Sequence, residues 1–217
     1  MSKNDYTKVM ITMEETDLLQ EIMNIAFGRA AADLAEYIDI FVHLSPPNVM
    51  LLQATDLQAY IKSELKDCIQ VSVVEQSFWG KFKGNVFLFF PSGTGKKIIS
   101  ILNNDNELLN ADAMDELEKE TFLEIGNILI GACIGKIAEL LGDFCTYSPP
   151  RVVVEKSSDD IISANLLGPN NVAIVLRTIF EFKEKNISGY LFIVTKQESF
   201  AWIKTALYNF LEQYEAS

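Results

Sequence analysis

Histidine is nearly missing from this sequence and cysteine is scarce: His43 stands alone, and Cys68, Cys133 and Cys145 are odd in number. None of them shows metal-ligand spacing, so neither a disulfide scaffold nor a bound metal is expected. Basic residues are also few, 18 Lys and Arg against 30 Asp and Glu, which leaves a net charge of -12 and a pI near 4.5. Such a surface repels phosphate backbones, so no nucleic-acid partner is expected. Long apolar runs are missing too. The longest, Ile128 to Gly135, stops at Lys136, far short of the roughly 20 residues that a membrane helix needs. The first ten residues are polar and mixed in charge, unlike a signal peptide. Together with reduced thiols these absences predict a cytoplasmic protein without membrane attachment.

What is present is apolar substance. Of 217 residues 49% are apolar, enough to bury one sizeable core or two small ones. Cys133 sits inside an apolar helical run and reads as a small buried hydrophobe. His43, beside Leu44 and Pro46, reads as a helix end.

The chain also repeats itself. Glu21-Ile22-Met23-Asn24 returns as Glu124-Ile125-Gly126-Asn127, and Ser45-Pro46-Pro47 as Ser148-Pro149-Pro150, both at an offset of 103. Gly28, Ala35 and Glu36 recur as Gly131, Ala138 and Glu139 in the same register. Further on, Gly84 and Gly189 each precede an apolar run at an offset of 105, as if two residues had entered a loop. The halves span about 12–108 and 115–217 of one domain covering 1–217, with Asn103 to Asn110 as their connection.

Each half opens with a long helix. Capping boxes are predicted at Thr12 with Glu15 and at Asp115 with Glu118, and the helices should run to the Ser-Pro-Pro triplets, where proline stops them. Strand signals follow at Val49–Leu52, Ile69–Val74, Phe78–Phe82 and Val86–Phe90, then at Val152–Val154, Ile161–Leu167, Val172–Phe182 and Tyr190–Val194. A closing helix is capped by Ser92 or Thr94 in one half and by Thr195 with Glu198 in the other. The expected fold class is α+β: two pseudo-symmetric repeats with long helices packed on a mostly antiparallel sheet.

At about 100° per residue, Asp17, Glu21, Asn24, Gly28, Ala31 and Ala35 fall within roughly 40° of one line along the first helix. Leu18, Leu19, Ile22, Met23, Ala26 and Leu34 point elsewhere. The second stripe reads Glu120, Glu124, Asn127, Gly131, Ile134 and Ala138. Asn costs a helix interior roughly 0.6 kcal/mol against Ala, so its appearance twice at one spot is not explained by helix stability. The glycines beside it would let another molecule approach closely.

The spacing Asp17, Glu21, Asn24, Pro47 resembles the signature of the CheC, FliY and CheX phosphatases, and Glu124, Asn127 and Pro150 repeat it. Glu120 stands where that pattern has Asp or Ser. Two complete motifs in one chain are most similar to the CheC branch. The resemblance implies hydrolysis of the aspartyl phosphate of a CheY-like response regulator in chemotaxis. An acyl phosphate is a mixed anhydride with a good leaving group, so its hydrolysis chiefly needs a water held in line. A carboxamide can hold that water and donate to a phosphoryl oxygen without adding negative charge, the role given to Asn24 and Asn127. Glu21 and Glu124 would repel the phosphoryl group unless a cation lay between. The resemblance supplies a lysine of the regulator for that place. Asp17, Glu120, Gly28 and Gly131 are candidate partner contacts, and Pro47 and Pro150 shape residues. No cofactor is expected on this chain, magnesium being held by the regulator, and a monomer is expected. CheD is a further candidate partner.

Two other readings share the resemblance: a non-catalytic CheD-binding adaptor, and a switch subunit of FliM type, which lacks the paired Glu and Asn. Pro91-Ser92-Gly93-Thr94-Gly95-Lys96-Lys97 imitates a phosphate-binding loop. Phe90 stands where that loop needs its first Gly, and Lys97 where it needs Ser or Thr, so a capped helix start is the better reading.

Overall fold

The computed structural model describes residues 12–38, 41–65, 68, 70–102, 111–157, 172–182, 187–196 and 199–215. The first long helix, α1, is Met13–Ile38. Its predicted capping box is formed. The Thr12 N–H donates to Glu15 Oε2 at 2.8 Å, and the Glu15 N–H donates to Thr12 Oγ1 at 3.1 Å, satisfying two donors that a helix start otherwise leaves unpaired. Strands β1 (Val42–Leu44) and β2 (Asn48–Gln53), helix α2 (Ala54–Glu64), strands β3 (Gln70–Trp79) and β4 (Gly84–Pro91), and helix α3 (Thr94–Leu102) follow. The second long helix, α4 (Ala111–Leu140), leads to β5 (Thr146–Tyr147), β6 (Arg151–Ser157), β7 (Val172–Phe182), β8 (Ile187–Lys196) and α5 (Phe200–Glu215).

The described strands form one antiparallel sheet in the order β1-β7-β8-β4-β3-β5, with β2 also on β7 and β6 also on β3. The early strands β1 and β2 thus lie on a late strand, and the late strands β5 and β6 lie on an early one. Small local features follow the same exchange. The Ser45 N–H donates to the Ile179 carbonyl, and the Ser148 N–H to the Ser77 carbonyl. The Ser45 and Ser148 carbonyls in turn accept from the side chains of Thr178 and Gln76. Both glycines of the repeat, Gly84 and Gly189, are crowded: a Cβ on Gly84 would strike the Val194 carbonyl oxygen, and one on Gly189 would strike first the Phe180 ring of β7 and then the Phe89 carbonyl oxygen. The β4–β8 pairing crowds both positions, and at Gly189 the neighbouring β7 adds its Phe180 ring.

The main core lies between one sheet face and helices α1, α3, α4 and α5, with Ile22, Phe27, Val74, Leu88, Phe90, Phe122, Ile130, Leu176 and Phe200 buried there. Phe90 meets the Phe122 ring at 4.6 Å and the Phe180 ring at 5.2 Å, so truncating any of the three to Ala should cost about 3–5 kcal/mol. On the other face α2 lays Leu57, Ile61 and Leu65 over Val71, Val73, Phe89 and Phe192. The segment Met114–Leu140 is apolar enough by length and composition to cross a membrane. Its Phe122, Leu129, Ile130, Cys133, Ile134 and Ile137 are core residues, which accounts for that composition, and Cys133 is the buried small hydrophobe expected.

Several expectations need correction. The Ser-Pro-Pro triplets do not end the long helices: α1 stops at Ile38 and α4 at Leu140, and a short strand precedes each triplet. At α4 the terminator is Gly142, at φ 68°, with the Asp143 N–H returned to the Ala138 carbonyl and the Gly142 N–H to the Glu139 carbonyl, a left-handed glycine stop. His43 is central in β1 and does not end a helix. Helix α4 starts at Ala111, so Asp115 is interior and caps nothing. Gln70–Trp79 is one strand where two were expected, and Phe82 lies in the following turn. Thr195 belongs to β8, its hydroxyl donating to the Lys83 carbonyl, and α5 starts later, at Phe200. Helix α2 was not foreseen. The expected strand Ile161–Leu167 and the connection Asn103 to Asn110 lie outside the described residues.

Candidate functional site

On α1 the side chains of Leu19, Ile22, Met23, Ala26, Phe27 and Ala30 are buried. That leaves Asp17, Glu21, Asn24 and Gly28 exposed, with Ala31 and Ala35 half-buried. On α4 Glu120, Glu124 and Asn127 are exposed and Gly131 is half-buried. The second ridge stops there. Ile134 and Ala138, expected to continue it, are buried, because this end of α4 is enclosed over a wider arc than α1.

Each Glu and Asn pair stands one helical turn apart, a spacing that puts the Cβ atoms about 5–6 Å from each other on one helix face. Among the described residues none holds the Glu21, Asn24, Glu124 or Asn127 side chain by a hydrogen bond or ion pair, so carboxylate and amide are both open to a partner. The ridge also offers room. A Cβ built on Gly28 or on Gly131 meets no atom within 4 Å, so nothing inside the protein requires glycine at either position. Asp17 and Glu120 lie at the N-terminal end of each ridge, a turn before the glutamate, and are exposed.

The residues around the motifs fix the helices. Glu15, 6% exposed, pairs with Lys204 of α5 at 2.9 Å and accepts from the Tyr208 hydroxyl at 3.4 Å. Burial works to raise its carboxyl, but the Lys204 ammonium, the Thr12 N–H and Tyr208 outweigh burial and hold it below its ordinary value. Glu118, at the matching place on α4, is 2% exposed and turned toward the start of α3, where a Cβ on Gly95 would collide with its carboxylate. The glycine that lent Pro91 to Lys97 the look of a phosphate-binding loop therefore makes room for an internal acid. Pro47 is buried and Pro150 half-buried. Both lie in the link between the two strands that follow a long helix. The approach of Glu118 to Gly95 has one sequence signal, a glycine in the first turn of a helix.

Among the described residues no group of three His, Cys, Asp or Glu side chains could hold a metal ion. What each long helix offers chemically is one exposed carboxylate and one exposed amide a turn apart, Glu21 with Asn24 and Glu124 with Asn127.

No protein-family model matches the chain. In structure it is similar to FliY of Thermotoga maritima, with a TM-score of 0.68 at 20% identity over 94% of this chain and 98% of that one. It is also similar to the FliM middle domain of Vibrio alginolyticus, with a TM-score of 0.56 at 13% identity over 87% of this chain and 99% of that one. The fold is therefore that of the FliY and FliM proteins. In sequence it is 20% identical over 202 residues to the CheY-P phosphatase CheC of Bacillus subtilis, covering 91% of this chain and 95% of that protein. Taken together, the chain is similar in sequence to CheC of Bacillus subtilis and in fold to FliY of Thermotoga maritima.

Proposed function

We propose that this protein is a chemotaxis phosphatase that hydrolyses the aspartyl phosphate of a CheY-like response regulator. The observation that supports the reading most is the exposure of both Glu and Asn pairs on helices whose neighbouring faces are buried. In each pair the Asn amide accepts a hydrogen bond from the attacking water and donates to a phosphoryl oxygen, holding the water in line. The Glu one turn earlier engages a cationic side chain of the regulator and so escapes repulsion by the phosphoryl group. Gly28 and Gly131 admit the partner's backbone, and Asp17 and Glu120 contribute rim contacts. Magnesium belongs to the regulator's acidic pocket, and this chain works as a monomer because each copy already carries two motifs.

The likeness to FliM favours a second reading, a non-catalytic switch or adaptor role with CheD among the candidate partners. Following the decay of a phosphorylated CheY-like regulator with and without the protein separates the two. A phosphatase accelerates the decay in proportion to its concentration, whereas an adaptor leaves it at the spontaneous rate.

A further inference from the structure

We propose that Gly126 is a positioning residue that seats the second motif, Glu124 and Asn127, by letting α4 lie against β3 at Val74; this inference rests on the phosphatase reading. A Cβ on Gly126 would stand 2.7 Å from Val74 Cγ1 and 3.3 Å from both Val74 Cβ and Cγ2. Carbon atoms in good contact are about 3.5–4.0 Å apart, so either the helix or the valine must move by about 1 Å. Val74 is fully buried, paired with Leu88 on one side and Val152 on the other, and its branched side chain is stiff at χ1. The helix is the part that gives way. Gly126 lies between Glu124 and Asn127 in the chain, so a lift of α4 at this point carries both side chains with it. The first motif is supported differently, since the matching residue is Met23, whose side chain is buried in the core. The two motifs are thus seated by unlike means, and only the second depends on the absence of a side chain.

The test uses two backgrounds of the full chain. Asn24→Ala leaves the second motif alone, and Asn127→Ala leaves the first alone. Gly126→Ala should lower kcat for stimulated dephosphorylation by about 10- to 100-fold in the Asn24→Ala background, as displacement of a catalytic group by about 1 Å does. The rate in the Asn127→Ala background, where the first motif acts, should hold. Adding Val74→Ala removes the two methyl groups in the way and should restore kcat, which general destabilisation would not allow. Crystal structures of the unsubstituted protein and of Gly126→Ala give a readout without activity: α4 should stand farther from Val74 in the variant. Equal losses in both backgrounds, no rescue by Val74→Ala, or an unmoved α4 with Val74 turned aside would each overturn the inference. If the unsubstituted protein has no phosphatase activity, the functional reading fails by itself, while the crystal structures still decide how Gly126 seats α4.

Discussion

Replacing Gly28 and Gly131 by alanine should make the protein more stable and less active at once. Both glycines are inside long helices, at neither is φ in the left-handed region, and at neither would a Cβ meet an atom within 4 Å. Alanine in a helix interior is favoured over glycine by about 0.8–1.0 kcal/mol, partly because it restricts the unfolded chain. Two such changes, neither meeting any atom within 4 Å and so sharing no partner, should add to about 2 kcal/mol. For a chain of this length 1 kcal/mol shifts Tm by about 2–4 °C, so the double variant should melt about 4–8 °C higher. Calorimetry and urea unfolding read that shift directly. If a regulator docks on the ridge as proposed, the same methyl groups stand in its way, and stimulated dephosphorylation should fall about tenfold at each motif by misplacement of the phosphoryl group. A lower Tm would show that the open space at these positions is not there. Unchanged activity beside a raised Tm would remove Gly28 and Gly131 from the docking surface.

Two further substitutions test the supports of the helices. Glu15→Gln breaks the contact with Lys204 and weakens the helix start, at a cost of about 1–3 kcal/mol at neutral pH. Because the folded carboxyl is held below its ordinary value of 4.5, its contribution is complete above that value and vanishes as pH falls through the lower folded one. Urea unfolding of both proteins should therefore show a gap at pH 7 that closes under acid; a gap that widened on acidification would contradict the ion pair. Gly95→Ala drives a methyl group into the Glu118 carboxylate and should destabilise by about 1–3 kcal/mol, with Glu118→Ala in the same chain relieving part of the clash. An additive double variant would show that the two residues do not meet.

Where sequence signals were local and redundant they located the fold well. Thr12 and Glu15 form a capping box because the motif needs only four neighbouring residues. The same pattern at Asp115 and Glu118 is overridden by tertiary packing: Ala111 to Met114 extend the helix, and Glu118 is drawn inward to α3. Proline is not the stop signal of either long helix, each of which ends before its Ser-Pro-Pro triplet. Gly142 ends α4 through its left-handed backbone six residues before Ser148, and that glycine was readable. Helix α2 shows Leu57, Ile61 and Leu65 at intervals of four, yet it follows β2 without a break and its N-cap, Gln53, makes no side-chain cap bond, so the usual start signal is missing. The exposed ridge was legible in full on α1. On α4 it was legible only as far as Gly131, because helical angle alone cannot say how much of a helix its neighbours enclose.

The most direct measurement is the decay of a phosphorylated CheY-like regulator in the presence of the unsubstituted chain, Asn24→Ala, Asn127→Ala and the double variant, each first checked for a cooperative melting transition no lower than that of the unsubstituted chain. Loss of one positioned hydrogen-bonding group should cost its motif about a hundredfold or more in rate. Each single variant should then keep the other motif's share, and the double variant should return decay to the spontaneous rate. A folded double variant that still accelerates decay as well as the unsubstituted protein would contradict the role given to the two asparagines.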